Sequence, residues 1–289
     1  MSTALVILNY NDAERTISLA EAAYSYACLD RIVLVDNHST DGSAGLLEDF
    51  AASRSDKACL LALSKNGGYA KGNNRGIRYA IRQYGADHIF LANPDVFFEE
   101  ETAAGMLQAM EDNPSYGVLA PLVNKGRNIW DLPGFAGILE ELFLISFNLH
   151  KKIIRERLLR SRNLIETVGV AEGSFFLISR EAYESAGGLD ERTFLYGEEI
   201  ILARRLRDKG YLIGVLPSKR YDHLHSASIK KQYQSSKARA FHHIRSSFRI
   251  YNRHYLGTSP LEDLVFEAAC FLAWLERAAY DFIMNSRPK

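Results

Sequence analysis

The chain has 289 residues, 47% hydrophobic and 24% charged, and its formal net charge is zero. That length buries a full core as one large domain or two small ones, and the neutral balance supplies no overall field to draw nucleic acid. Three cysteines, Cys28, Cys59 and Cys270, lie far apart and outside any CxxC spacing, which fits a reducing compartment and excludes a disulfide framework or a cysteine zinc site.

Residues 1–10 carry no basic region ahead of a long apolar one, so no signal peptide is expected and the cytoplasm is the expected compartment. Apolar stretches near 135–149 and 268–275 are interrupted by Glu140, Glu141 and Glu276, and neither reaches the roughly 20 apolar residues a membrane span needs.

The run 3–8 is apolar with β-branched members, and Asn9-Tyr10-Asn11-Asp12 ends it before an amphipathic segment at 13–26. This reads as strand, polar loop, helix. The unit repeats, with a buried-strand run at 31–35, a loop of capping residues at 36–43 and a helix over 44–53. A third strand at 58–63 leads into the glycine-rich stretch 66–74 and a helix predicted over 75–84. Glycines at the head of a helix let backbone N–H groups approach a phosphate, although the spacing here is neither a P-loop nor GxGxxG. Alternating strands and helices imply an α/β fold with a doubly wound, mainly parallel sheet.

The fourth strand, 88–92, delivers Asn93-Pro94-Asp95. Pro94 removes a backbone donor and pushes Asn93 out of helical space, which fixes Asp95 at a strand end. In open parallel sheets that end is where ligands bind, so the turn is placed to hold a metal and a diphosphate.

A helix at 100–112 and a strand at 116–121 follow. Residues 134–165 mix apolar positions with Lys151, Lys152, Arg155, Arg157, Arg160 and Arg162, which suits either a helix on a membrane surface or acidic partner, or a solvated helix packed on the sheet. The segment 168–178 reads as a strand entered through a glycine turn, with a helix at 180–186 after it. Glu198 and Glu199 then open a helix to 209, where the dipole stabilises carboxylates. A strand at 211–216 precedes His223 and His225.

Beyond residue 228 the composition changes. Lys230, Lys231, Lys237, Arg239, Arg245, Arg249 and Arg253 have no acidic neighbour in sequence until Glu262, and aromatic residues are interleaved among them. Contact with anionic lipid or with an acceptor is preferred to nucleic acid, because no RNA-binding motif accompanies the charge. The helix expected over 261–284 would cover the sheet or make a homo-oligomer contact. The organisation predicted is therefore an α/β domain over 1–228 and a helical extension over 229–289.

Taken in order, Val6-Ile-Leu-Asn-Tyr-Asn11, Val35-Asp36-Asn37-His-Ser39-Thr-Asp41-Gly42-Ser43, Asn66-Gly67-Gly68-Tyr69-Ala-Lys-Gly72-Asn73-Asn74, Asn93-Pro94-Asp95, Gly187-Gly188-Leu-Asp190-Glu191 through Tyr196-Gly-Glu198-Glu199, and His223 resemble the family 2 glycosyltransferases over about residues 3–228. The rhamnosyltransferase-like branch is the nearest. The resemblance implies a GT-A fold, an inverting mechanism, a dTDP- or UDP-sugar donor and a divalent metal, Mg2+ or Mn2+. It also implies that Asn9, Asn11, Asp36, Asn37, Asn66, Gly68, Gly72, Asn73 and Asn93 line the nucleotide-sugar pocket, with Asp36 on the base or ribose. Asp95 matches the last aspartate of the DxD-type metal motif, and His223 or His225 would complete the shell.

Glu199 matches the catalytic aspartate and Glu198 the residue before it, while Glu172, Gly173 and Ser174 would shape the acceptor side. The chain departs from the pattern twice: the base is a glutamate, and Ile201 stands where the family usually has another acid. The expected activity is transfer of one sugar, plausibly rhamnose, to a surface glycan or lipid-linked acceptor, with the basic segments near Lys151 and Lys237 placed to hold the protein at a membrane. The competing reading is a non-catalytic nucleotide-sugar or glycan-binding module derived from such an enzyme. A sugar nucleotidyltransferase is disfavoured, because 6–12 lacks the glycine-rich signature with a basic residue for the triphosphate.

Overall fold

A computed structural model describes residues 1–224 and 237–285. His225, Lys230 and Lys231 lie outside the described residues. In chain order the first half reads β1 (Thr3–Asn9), α1 (Ala13–Tyr24), β2 (Arg31–Asp36), α2 (Ser43–Ser53), β3 (Ala58–Ala62), α3 (Tyr69–Tyr84), β4 (His88–Ala92), β5 (Val96–Phe97), α4 (Glu100–Asp112), β6 (Tyr116–Val123) and β7 (Ile129–Trp130). The second reads α5 (Phe135–Leu142), α6 (Leu144–Leu159), β8 (Glu166–Val168), β9 (Val170–Ala171), β10 (Phe175–Ser179), α7 (Arg180–Ala186), α8 (Glu198–Asp208), β11 (Leu212–His223), α9 (Lys237–Tyr251) and α10 (Pro260–Asn285), with a π-turn at Asn252–Leu256 between the last two helices.

β1 explains the architecture. Its side chains alternate, Ala4 and Val6 entering one core and Leu5 and Ile7 the other, as period-two geometry requires of a strand covered on both faces. It pairs in parallel with β2 and β4, and β3 extends the sheet beyond β2. The main order is β3-β2-β1-β4-β10-β6-β11, with β5 and β8 both on the far side of β11. The sheet is mixed, since β10 runs antiparallel to β4 and β6.

Three boundaries differ from the sequence expectation. α3 begins at Tyr69 rather than at 75, so Gly72, Asn73 and Asn74 are helical. The strand expected at 168–178 breaks into β8, β9 and β10. β11 runs past 216 to His223, with a register shift between Leu216 and Arg220 against β6.

Residues 134–165 resolve into α5 and α6, which bury Ile138, Leu142, Ile154 and Leu158 in the core of the β1 Val6 face. Arg155 donates to the carbonyls of Val123 and Asn124, at 2.9 Å each. α9 and α10 add Phe241, Phe248, Tyr251, Phe266 and Cys270 to the same core. Three arginines of this basic stretch find the acidic partners that it lacks in sequence: Arg245 and Arg249 pair with Glu267, and Arg253 pairs with Asp263 at 3.0 Å. Among the described residues no helix is long and apolar enough to cross a membrane.

Candidate active site

Strand ends converge on one cleft of about 300 Å³, lined by Asn37, Asn66, Gly68, Asn93, Asp95, Glu172, Gly173, Ser174, Glu198, Glu199 and His223 among others. Its floor is the Asn93-Pro94-Asp95 turn. Asn93 donates its N–H to the Ser174 carbonyl at 2.9 Å, and the Val96 N–H returns to the Asn93 carbonyl at 3.2 Å. β5 then pairs antiparallel with the end of β11, setting His223 opposite Val96. That pairing brings Asp95 to His223.

His223 Nε2 lies 3.2 Å from Asp95 Oδ1, with both side chains largely buried. Burial pushes the Asp95 carboxyl up, but the hydrogen bond and charge of His223 outweigh it, leaving the group below its ordinary value. For His223 burial works downward, and Asp95, with help from Glu172, raises the imidazole above its ordinary value. The donor set suits a divalent cation. Octahedral ligands about 2.1 Å from an ion sit about 3.0 Å apart at adjacent positions, and a carboxylate oxygen with an imidazole nitrogen is an acceptable pair for manganese. Among the described residues no group of three or more His, Cys, Asp or Glu is arranged to hold a metal.

The other carboxylates stand at the N-terminus of α8. Gly197, at φ 79°, turns the chain into the helix. Successive helical residues point about 100° apart, so Glu198 and Glu199 have different surroundings: Glu198 is 5% exposed, whereas Glu199 is half-buried on the cleft wall. Burial first and the Glu199 charge second raise the Glu198 carboxyl well above its ordinary value. Ile201 is fully buried in the core.

The glycine turn ahead of α3 joins these two parts. Asn37 and Asn66 clasp it: Asn37 Nδ2 donates to Asn66 Oδ1 at 3.0 Å, and the N–H groups of Gly67 and Gly68 donate to Asn37 Oδ1 and Asn66 Oδ1. Gly68 has φ 85° and ψ −179°. The following N–H, of Tyr69, donates to the Phe194 carbonyl at 2.8 Å, so the turn docks on the segment that leads into Glu198.

Five of the expected pocket residues do not line the cleft. Asn9 and Asp36 form a buried brace behind it, with Asn9 Nδ2 donating to Asp36 Oδ1 at 2.8 Å while Ser39 donates to Asp36 through both N–H and Oγ. Asn11, at φ 55°, holds the 39–40 loop by hydrogen bonds with Ser39 and Thr40. Gly72 lets α3 approach β1, where a Cβ would meet Leu8 Cδ1 at 2.5 Å. Asn73 is turned back on its own helix, donating to the Tyr69 carbonyl.

Sequence reasoning missed Tyr10, Tyr69, Phe194, Leu195 and Tyr196, all of which line the cleft. Tyr69 donates its hydroxyl to the Gly173 carbonyl, tying the glycine turn to the expected acceptor side. Tyr196 has φ 68°. The available signal was adjacency to the glycine turn and to Glu198. Ser174 Oγ and Tyr221 Oη share a 2.8 Å hydrogen bond beneath the acceptor side.

Comparisons with known proteins agree with this fold. Residues 5–187 match the family model described as glycosyl transferase family 2. The chain is 29% identical over 243 residues to N-acetylglucosaminyl-diphospho-decaprenol L-rhamnosyltransferase of Mycobacterium tuberculosis strain H37Rv, covering 77% of this chain and 75% of the relative. It is 26% identical over 213 residues to the low-salt glycan biosynthesis hexosyltransferase Agl10 of Haloferax volcanii, covering 73% and 63%. Among solved structures, the mannosyltransferase PcManGT of Pyrobaculum calidifontis in complex with GDP-Man and Mn2+ superposes with a TM-score of 0.60 at 16% identity, covering 99% of this chain and 76% of that one. GalNAc-T7 with UDP, GalNAc and Mn2+ also gives 0.60, at 14% identity, over 77% of this chain and 44% of its own. The chain thus belongs to glycosyl transferase family 2, as a GT-A glycosyltransferase of the rhamnosyltransferase-like kind.

Proposed function

We propose that this enzyme moves one sugar, rhamnose from a dTDP-linked donor, to a hydroxyl of a lipid-linked or cell-surface glycan, by a single displacement that inverts the anomeric carbon. The observation that carries the reading is the meeting of Asp95 and His223 with Glu199 in one cleft. The names of the relatives support rhamnose and a lipid-linked acceptor.

In this reading Asn37, Asn66 and the Gly68 turn receive the nucleotide, and Asp95 with His223 sits at the diphosphate. A divalent cation, Mg2+ or Mn2+, would be held there by Asp95 and His223 and would neutralise the leaving diphosphate. Glu199 accepts the proton of the acceptor hydroxyl. The acceptor oxygen forms the new bond to the anomeric carbon as the bond to the diphosphate breaks, and the electron pair leaves with the nucleoside diphosphate. Glu172, Gly173, Ser174 and Phe194 supply the acceptor wall.

The test is transfer from a panel of nucleotide sugars with and without Mg2+ or Mn2+, comparing wild type with Asp95→Ala and Glu199→Gln, with the product anomer read by NMR. Turnover of one donor with inversion, a metal requirement, and kcat losses on the order of 100-fold or more in each variant are expected. Donor binding without turnover, even with lipid-linked acceptors supplied, would replace this reading with the binding-module one.

A further inference from the structure

The last helix, α10, is amphipathic in an inverted sense. Five of its six charged residues, Asp263, Glu267, Glu276, Arg277 and Asp281, are buried or half-buried and turned toward the protein, and Glu262 bonds with Ser259 at the helix start. Glu267 is taken up by Arg245 and Arg249, Asp263 by Arg253, Glu276 by the Leu144 N–H, and Asp281 by the Ala238 N–H. The outward face is Leu261, Val265, Ala268, Leu272, Leu275, Ala279 and Phe282, spaced alternately four and three apart and exposed throughout, Leu261 at 70% and Phe282 at 74%. No charge interrupts it.

A stripe repeating every 3.5 residues is the seam by which one helix packs on another. With the neighbouring aromatics, such as Phe271 at 61% exposure, the stripe runs along a helix of 26 residues, about 39 Å at 1.5 Å per residue, and a contiguous apolar face of that length marks an interaction site. Alanines at two of the seven seam positions let a second backbone approach.

We infer that this face of α10 is the interface of a homodimer in which two copies of the helix pack antiparallel across a two-fold axis. Charge favours a second copy over an anionic membrane. Interfacial helices carry unpaired Lys and Arg on the flank facing the lipid headgroups, whereas α10 has five acids to one arginine, and Arg245, Arg249 and Arg253 beside it are paired with two of those acids. In full antiparallel overlap the axis crosses near residue 272, the midpoint of the helix, and sets Leu272 against its own copy.

The experiment is sedimentation equilibrium on the full chain, with Leu272→Glu and Leu272→Lys made separately and then mixed. The inference expects a dimeric wild type and an apparent dissociation constant raised on the order of 100-fold in each variant. It also expects the mixture to recover dimer, which shows in addition that both variants are folded. A wild type that is monomeric at tens of micromolar, variants that stay dimeric, or a monomeric wild type that floats with vesicles of mixed zwitterionic and anionic lipid would each overturn it, the last by assigning the face to a membrane.

Discussion

Gly68→Ala tests whether the glycine turn ahead of α3 and the segment leading into α8 are one mechanical unit. The backbone at φ 85°, ψ −179° is open to glycine and closed to alanine, and forcing it costs on the order of 1–3 kcal/mol. The added Cβ would also stand 2.8 Å from Phe194 Cα and 2.9 Å from Phe194 Cδ2. Closer still is the Phe194 carbonyl oxygen, and ordinary contact begins at 3.4 Å, so relief requires a shift of about 1 Å in backbone that cannot rotate aside. That backbone leads within four residues to Glu198, and the Tyr69 hydrogen bond to the Phe194 carbonyl would be strained with it. Displacements approaching 1 Å cost up to about 100-fold in rate, so kcat/KM should fall ten- to a hundredfold. Gly85→Ala is the control, because Gly85 has φ 64° but nothing within 4 Å of its would-be Cβ. It should lose about 1 kcal/mol in urea denaturation and keep its kinetics. If Gly68→Ala turns over like wild type and loses no more stability than Gly85→Ala, the coupling is refuted.

Two further outcomes concern the scaffold behind that loop. Asp190 is buried, which raises its carboxyl, yet hydrogen bonds from Arg192 and Tyr255 hold it at about 2 against an ordinary 3.8; a depressed carboxylate contributes stability above the unfolded value and loses it as pH falls. Asp190→Asn should therefore cost about 2 kcal/mol at pH 7, with roughly half of that gap remaining at pH 3, and a gap in urea midpoint independent of pH would refute the assignment. Asn74, 1% exposed, donates to the Leu189 carbonyl and Glu191 and accepts from Tyr183 and the Leu189 N–H. Asn74→Ala strands those partners and should lose about 3 kcal/mol by chemical denaturation.

The strands and the Asn93-Pro94-Asp95 turn were legible because burial, β-branching and proline act locally. The start of α3 was not. Gly72 reads as loop on propensity, but the helix needs it bare, since a Cβ there would strike Leu8 Cδ1 at 2.5 Å. Close packing on the sheet overrides the intrinsic preference. The resemblance places Asp36 on the base or ribose, and the structure shows it braced from behind the cleft. Its buried bonds to Asn9 and Ser39 span up to 27 residues of sequence, and nothing local announces them. The basic run of α9 looked unpaired for the same reason: Glu267 lies 18 and 22 residues from Arg249 and Arg245.

The departures from the family pattern at α8 follow from where each position points. Ile201 is three residues after Glu198 and shares its inward face, where it is fully buried; an acid there would need a partner or would be expelled as a neutral group. The apolar residue is what this core accepts. Glu198 sits on that same face, and burial together with the Glu199 charge favours its neutral form. Glu199 faces the cleft at the positive end of the helix dipole, where a carboxylate is stabilised. Two adjacent acids are thereby given different surroundings: burial favours the neutral form of Glu198, and Glu199 stands half-buried at the cleft wall, the placement on which its proposed role as base rests.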